Sequence, residues 1–142
     1  LVRSQIKALV GLQSSSGMWH QLQDKPDSYL ETSCSAMFAF GIARAVNRGW
    51  VSAASYGPVA ITGWNAVASR INEEGGIDGT CIGTNYASDA AYYYRRPSRD
   101  DFHGHGPVLL AGAEVILLLK NDRLRIRTGP GAPIKVTEQP PR

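Results

Sequence analysis

Two segments of this chain are apolar on nearly every side of the helix that their sequence predicts. The first runs from Ser33 to about Asn47, and the second runs from Val108 to about Lys120, where Glu114 interrupts an otherwise apolar run. A helix without a polar face is stable in water only when other elements surround it. The sequence therefore predicts a layered fold in which these two segments are the inner helices.

Each inner helix follows an outer, more polar helix and a loop. The spacing of apolar residues predicts outer helices from Leu1 to about Gln13 and from Pro58, in the first turn, to about Asn72. The corners Gly17-Met18 and Gly76-Ile77 lie about sixty residues apart, a period that is typical of helical-hairpin arrays. The fold class predicted is all-α, an α/α toroid of which this chain supplies about two hairpins. Two hairpins cannot close a ring, so an apolar flank should stay exposed.

The chain divides into a helical part, residues 1–122, and a C-terminal segment, residues 123–142. We expect a short strand at Leu124–Arg127, followed by a proline-rich tail that frays. The basic run at residues 123–127 is interpreted as a solvated strand, and nucleic acid is not expected as a partner. A net charge of +3 would suit a small anionic substrate.

The loop before the first inner helix is rich in groups that bind sugars. Trp19, His20 and Gln21 follow the first glycine corner, and Tyr29 comes shortly before the helix. Aromatic faces cover pyranose rings, and planar polar groups read sugar hydroxyls. The alternatives are that Trp19 and Tyr29 fill the core and that His20 is a surface residue.

Two carboxylates, Asp24 and Glu31, lie in the same loop. They form a candidate acid–base pair, but spacing alone is weak support for that role. Asp24 precedes Lys25-Pro26 and fits a turn. Glu31 lies just ahead of the inner helix and is well placed to cap it by accepting backbone N–H groups.

The second loop ends in two histidines that alternate with glycines, His103 and His105. Glycine lets the backbone approach a ligand closely, so either imidazole is a candidate lining of a cleft above the last helix. The alternative is hydrogen bonding within the loop, with His105 exposed. Asp100 and Asp101 are expected to pair with the neighbouring arginines Arg95, Arg96 or Arg99. Both loops end at the N-terminus of an inner helix, where a ligand carboxylate would be favoured.

Cofactors and membranes are not indicated. The three histidines and two cysteines show no metal-ligand spacing, and no metal or organic cofactor is expected. Cys34 and Cys81 are interpreted as free, partly buried thiols, although a disulfide stays open. We expect no membrane-spanning segment. Because Leu1 already lies in helical register, the chain is expected to be a processed product or a piece of something longer.

Several linked motifs resemble the C-terminal half of the unsaturated glucuronyl and rhamnogalacturonyl hydrolases, glycoside hydrolase families 88 and 105. The rhamnogalacturonyl branch is the more similar. The matching segments, in family order, are residues 17–21, 29–38, 79–84, 93–97, 101–107 and 110–115.

This resemblance implies an (α/α)6 barrel that removes an unsaturated uronic acid from an oligosaccharide by hydrating its C4=C5 double bond, without a cofactor. The family's catalytic aspartate and its Arg-Gly-Asn-Gly-Trp segment lie upstream and are not found here, so no catalytic acid is assigned. The resemblance transfers only cleft lining, at Trp19, His20, Gln21 and His103.

Three functions remain as hypotheses from the sequence. The first is a partial glycoside hydrolase that needs a missing N-terminal half, and the second is a non-catalytic carbohydrate-binding or assembly module that self-associates. The third is a helical-repeat interaction protein without affinity for sugars. The expected ligand is an acidic oligosaccharide, and the compartment expected from bacterial relatives is the cytoplasm rather than the exterior.

Overall fold

The computed structural model describes residues 1–95, 97 and 101–139. These residues form four α-helices, two short 3-10 turns and one antiparallel β-hairpin. The helices are α1 Val2–Leu12, α2 Thr32–Asn47, α3 Ala53–Ala68 and α4 His105–Leu119. The strands are β1 Leu124–Gly129 and β2 Ala132–Glu138, and the 3-10 turns are Ala90–Tyr94 and Phe102–Gly104. All four predicted helices are present.

Of the two apolar helices, α2 lies at the centre, as its composition predicts, whereas α4 packs on α2 with one side only. Helix α2 packs against both α3 and α4, and its small residues Ala36, Ala39 and Ala43 are fully buried. Small side chains on α2 let the neighbouring helices approach closely. Helix α1 lies to one side, and Ile6 is its one buried residue.

Helix α3 begins earlier than the sequence analysis predicts. Its first residue is Ala53, because the Ser52 hydroxyl caps the helix by accepting from the Ser55 N–H at 3.4 Å. Pro58 therefore lies in the second turn, where it removes the N–H that would reach the Ala54 carbonyl. Ala54 is exposed, so water can satisfy that carbonyl. The helix also ends at Ala68, several residues before the predicted Asn72.

The C-terminal segment corrects the all-α prediction. The strand predicted at Leu124–Arg127 is the core of β1, and most of the predicted tail forms β2, which pairs with β1 in antiparallel register. Apolar residues of the hairpin face α3, where Val136 is 2% exposed. A Cβ on Gly57 would lie 2.9 Å from Val136 Cγ2, so glycine at this position allows the contact. The final residues, 140–142, lie outside the described residues.

Helix α4 presents an uncovered apolar face, in agreement with the flank expected of an incomplete toroid. The large apolar residues exposed there are Leu109, Leu110, Ile116, Leu117 and Leu119. The stretch Phe102–Leu119 is also long and apolar enough to cross a membrane, which the sequence analysis does not anticipate. Core helices of soluble proteins meet the same criterion, and α4 packs along α2 through its other side.

Candidate functional site

The N-terminus of α2 is capped by a buried carboxylate. Glu31 is 1% exposed, and its two oxygens accept hydrogen bonds from the backbone N–H groups of Ser33 and Cys34 and from the Ser33 hydroxyl. The backbone N–H of Cys81, fifty residues further along the chain, also donates to Glu31 Oε1 at 2.8 Å. Glu31 therefore joins the second loop to the start of α2.

This cap changes the expected role of the helix N-terminus. The sequence analysis predicts that a ligand carboxylate binds at the free N–H groups of an inner helix. At α2 those groups already donate to the side chain of Glu31, so this helix end is not available to a ligand. The prediction is wrong for α2, and the alternative that Glu31 is a structural cap is correct.

A polar wall lies next to this cap and consists of Gln21, Tyr29 and Cys81, all half-buried. The side-chain amide of Gln21 donates to Cys81 Sγ at 3.5 Å, and its backbone N–H donates to the Tyr29 carbonyl at 2.9 Å. The pKa of Tyr29 is raised well above its ordinary value, mainly because the phenol is partly buried and secondly because of its hydrogen bond with Cys81. A phenol is protonated at neutral pH even without this shift, so the Tyr29 hydroxyl can donate a hydrogen bond.

His103 lies beside the same loop. A Cβ on Gly83 would come within 3.7 Å of His103 Cε1, which places the imidazole against the 79–84 segment that also carries Cys81. The His103 side chain is 71% exposed, and its Nδ1 bonds the carboxylate of Asp101. This bond fixes the ring orientation and leaves Nε2 as the nitrogen that can reach a ligand.

Asp101 bonds its neighbour His103. The His103 backbone N–H donates to Asp101 Oδ1 at 3.0 Å, and Asp101 forms no ion pair with Arg95. That backbone hydrogen bond, with the imidazole contact, lowers the pKa of Asp101 below its ordinary value. Arg95 instead stacks over the ring of Tyr92, 4.9 Å from its centroid. The pairs predicted with Arg96, Arg99 and Asp100 lie outside the described residues.

His20 lies on a different side of the first loop. Its Nδ1 bonds the Ser28 carbonyl at 2.6 Å, and the ring borders a shallow depression next to the end of α1 together with Gln23 and Asp24. Consecutive residues of an extended segment point in opposite directions, and Gln21 therefore faces the polar wall whereas His20 does not.

Trp19 lies in the core. The side chain is fully buried, its Nε1 donates to the Leu9 carbonyl at 2.7 Å, and its ring meets that of Phe38 edge-on at 5.6 Å. No part of it can reach a ligand in this structure. The structure supports the alternative that Trp19 fills the core, so Trp19 is not part of the candidate site.

His105 is the first residue of α4 and is half-buried. Its ring lies 5.9 Å from the ring of Phe102, and its Nδ1 is buried with no hydrogen-bond partner among the described residues. Phe102 itself is 89% exposed, beside both histidines. Phe102 and Asp101 were not predicted as site residues, although their positions within the Asp-Phe-His-Gly-His run could have indicated them.

Cys34 and Cys81 are free thiols, in agreement with the sequence analysis. The pKa of Cys34 is raised far above its ordinary value, mainly because the thiol is buried and secondly because Glu31 is negatively charged. This thiol is therefore neutral. Within residues 1–95, 97 and 101–139, no three His, Cys, Asp or Glu side chains come together in a way that could hold a metal ion.

A surface groove of about 550 Å³ lies away from the polar wall. It is bordered by the end of α2, the start of α3 and the C-terminal hairpin, and Trp50 and Tyr56 line it. Its position at the opposite ends of these helices separates it from Gln21, Tyr29 and His103. Among the described residues, none of the grooves found is lined by Gln21, Tyr29 or His103, and the candidate site is treated as an open wall.

Comparisons with known proteins agree on one family. The family model described as Glycosyl Hydrolase Family 88 matches residues 1–119. The chain is 34% identical over 116 residues to the unsaturated rhamnogalacturonyl hydrolase YesR of Bacillus subtilis, covering 81% of this chain and 32% of YesR. It is 29% identical over 143 residues to protein Atu3128 of Agrobacterium fabrum, covering 83% of this chain and 59% of that protein.

Solved structures show the same similarity. A possible member of the GH105 family from Salmonella enterica superposes with a TM-score of 0.76 at 35% identity, over 83% of this chain and 30% of that structure. A possible GH105 member from Klebsiella pneumoniae gives a TM-score of 0.75 at 36% identity, over 82% of this chain and 30% of that structure. The chain thus spans about a third of the length of YesR and of these two structures.

Proposed function

Because the chain belongs to glycosyl hydrolase family 88, we propose that it supplies one wall of a cleft for unsaturated uronic acid oligosaccharides derived from rhamnogalacturonan. The observation that carries the proposal is the family match over residues 1–119, since that range includes Gln21, Tyr29 and His103. YesR, whose name describes an unsaturated rhamnogalacturonyl hydrolase, supports this choice of substrate class.

The proposed reaction of the complete cleft is hydration of the C4=C5 double bond. A proton is added at C4, and the oxygen of a water molecule bonds to C5 as that water gives up a proton. The product is a hemiketal, whose ring opens with cleavage of the glycosidic bond. The wall in this chain would bind and orient the sugar, since an amide, a phenol and an imidazole can hydrogen-bond its hydroxyl and carboxylate groups.

The carboxylates near this wall are poorly suited to deliver the proton. Glu31 is buried and its oxygens already accept several hydrogen bonds. Asp101 has a lowered pKa, whereas a general acid needs a pKa near the working pH. Asp24 is exposed beside Lys25, at 3.8 Å, on the side of His20. We therefore propose that the catalytic acid comes from a part of the toroid that this chain does not supply.

The second candidate function is a non-catalytic carbohydrate-binding or assembly module derived from the same enzyme. The uncovered apolar face of α4 favours an assembly in which further helices cover it, either the missing hairpins of the toroid or a second copy of this chain. Both candidates need affinity for the sugar, and they differ in whether turnover appears when the remaining helices are supplied.

Binding of an unsaturated galacturonyl-rhamnose disaccharide tests the proposed site. We expect His103→Ala to weaken binding about tenfold, because loss of one hydrogen bond to a charged group costs about 1.5 kcal/mol. His20→Ala is the matched control, since this half-buried histidine lies on the other side of the loop, and its affinity should stay within about twofold of the unchanged chain. Isothermal titration calorimetry measures both. Equal losses in the two variants, or no binding by the unchanged chain, would contradict the proposed site.

A further inference from the structure

The outer face of the C-terminal hairpin carries a cluster of positive charge. Antiparallel register places Arg127 directly opposite Lys135, and Arg125 opposite Thr137. All four side chains are exposed and together line a shallow depression of about 240 Å³. We call this surface the cationic face.

The charges of the cationic face are not neutralised within the described part of the chain. None of Arg125, Arg127 and Lys135 forms an ion pair with another described residue. Glu138, the acidic residue of β2, pairs with Leu124 at the alternating positions that belong to the opposite face of the hairpin. Like charges directly opposite each other in a hairpin are destabilising, and an anion bound between Arg127 and Lys135 would relieve that repulsion.

The hairpin holds these charges in a fixed arrangement. Its other face is anchored on α3 through Val136, which is 2% exposed. Residues two apart on one strand are separated by roughly 7 Å, so Arg125 and Arg127 can reach successive anionic groups of one extended chain. Guanidinium groups bind carboxylates through paired hydrogen bonds, and the Thr137 hydroxyl can bind a sugar hydroxyl.

We propose that the cationic face binds the carboxylates of an acidic polysaccharide chain, outside the cleft wall. The choice of a uronate polymer rests on the proposed function. A nucleic acid is less favoured because the four residues include no aromatic side chain on which a base could stack. The hairpin follows the family-matched residues 1–119, and the cationic face therefore belongs to this chain's own C-terminal segment.

Binding of polygalacturonate by the full chain tests this proposal, measured by affinity electrophoresis at several salt concentrations. The test variant combines Arg125→Gln, Arg127→Gln and Lys135→Gln. The control variant combines Lys7→Gln, Arg48→Gln and Lys120→Gln, which changes net charge equally at exposed positions elsewhere. We expect at least a tenfold loss of affinity in the test variant, less than a twofold loss in the control, and weaker binding by the unchanged chain as salt increases. Thermal unfolding of each variant confirms that it is folded.

Three results would overturn the proposal: no binding of polygalacturonate by the unchanged chain, equal losses in both variants, or double-stranded DNA that binds as tightly and competes for the same face. The disaccharide titration separates this proposal from the proposed cleft. If polygalacturonate binding depends on the cationic face while the disaccharide does not bind, the cleft proposal is wrong and the cationic-face proposal is supported. If the disaccharide binds and both charge variants keep their affinity for polygalacturonate, only the cationic-face proposal is wrong.

Discussion

Replacing Glu31 by alanine is expected to lower the free energy of unfolding by about 3–5 kcal/mol, the largest effect of any single polar substitution considered. The substitution leaves the backbone N–H groups of Ser33, Cys34 and Cys81 without their acceptor. Each buried donor left unpaired costs about 1–3 kcal/mol. A domain of this size has about 5–15 kcal/mol of stability in total, so the variant should be close to its unfolding limit.

Urea denaturation followed by circular dichroism measures this effect. Glu31→Gln should recover part of the lost unfolding free energy, because its amide oxygen still accepts hydrogen bonds from the backbone. The recovery should be incomplete, because its NH₂ group faces N–H donors and cannot accept from them. Glu73→Ala is the control, since Glu73 is exposed, and its unfolding free energy should change by less than about 0.5 kcal/mol. If the unfolding free energy of Glu31→Ala lies within about 0.5 kcal/mol of that of the unchanged chain, Glu31 is not the cap that joins the second loop to α2.

Replacing Trp19 by alanine should cost a comparable 3–5 kcal/mol or so, through the cavity it leaves in the core. The indole is fully buried against Phe38, and it packs so closely on α3 that a Cβ on Gly63 would lie 3.0 Å from Trp19 Cζ3. The substitution also leaves the Leu9 carbonyl without its donor. The loss should appear as a lower urea midpoint.

Trp50 provides the matched control for Trp19, because the same side chain is 48% exposed there. Trp50→Ala should cost less than about 1.5 kcal/mol, since roughly half of its apolar surface is already in water. A Trp19→Ala variant no less stable than Trp50→Ala would contradict the core position of Trp19. It would also reopen the possibility that Trp19 contacts the sugar.

The inner helices could be predicted from the sequence because their composition leaves no alternative. An apolar helix without a polar face needs neighbours to cover it: α2 is covered by α3 and α4, whereas α4 is covered on one side only. The start of α3 could not be predicted as reliably, because two signals compete. Pro58 favours a first-turn position, but the Ser52 cap starts the helix earlier. Strand β2 was missed since its proline and the preceding glycines are more typical of a loop.

The candidate site depended on contacts that local sequence does not contain. Glu31 became a cap rather than a candidate acid because Cys81, far along the chain, donates to it. His20 and Gln21 are adjacent in sequence, and only the bridge between His20 and Leu30 decides which of them faces the polar wall. The pairing of His103 with Asp101 is local, so it could have been predicted from their two-residue spacing.

The uncovered face of α4 connects the fold to the proposed function. The chain spans about a third of YesR, and we propose that further helices of a toroid cover the apolar residues along α4. We propose that the polar wall, with His103 beside it, is open in this chain for the same reason. A cleft with one wall can hold a sugar weakly, but it cannot place every group that the hydration reaction needs.

The account is tested most directly by the ultraviolet absorbance of the unsaturated galacturonyl-rhamnose disaccharide during incubation with this chain at saturating protein. We predict that the double-bond absorbance stays constant, because Glu31, Asp101 and Asp24 are poorly suited to deliver the proton, whereas YesR, the positive control, should remove it. A decrease at a rate proportional to the concentration of this chain would contradict the account. The catalytic acid would then lie within these 142 residues, and substitutions of Asp24, Glu31 and Asp101 would identify it.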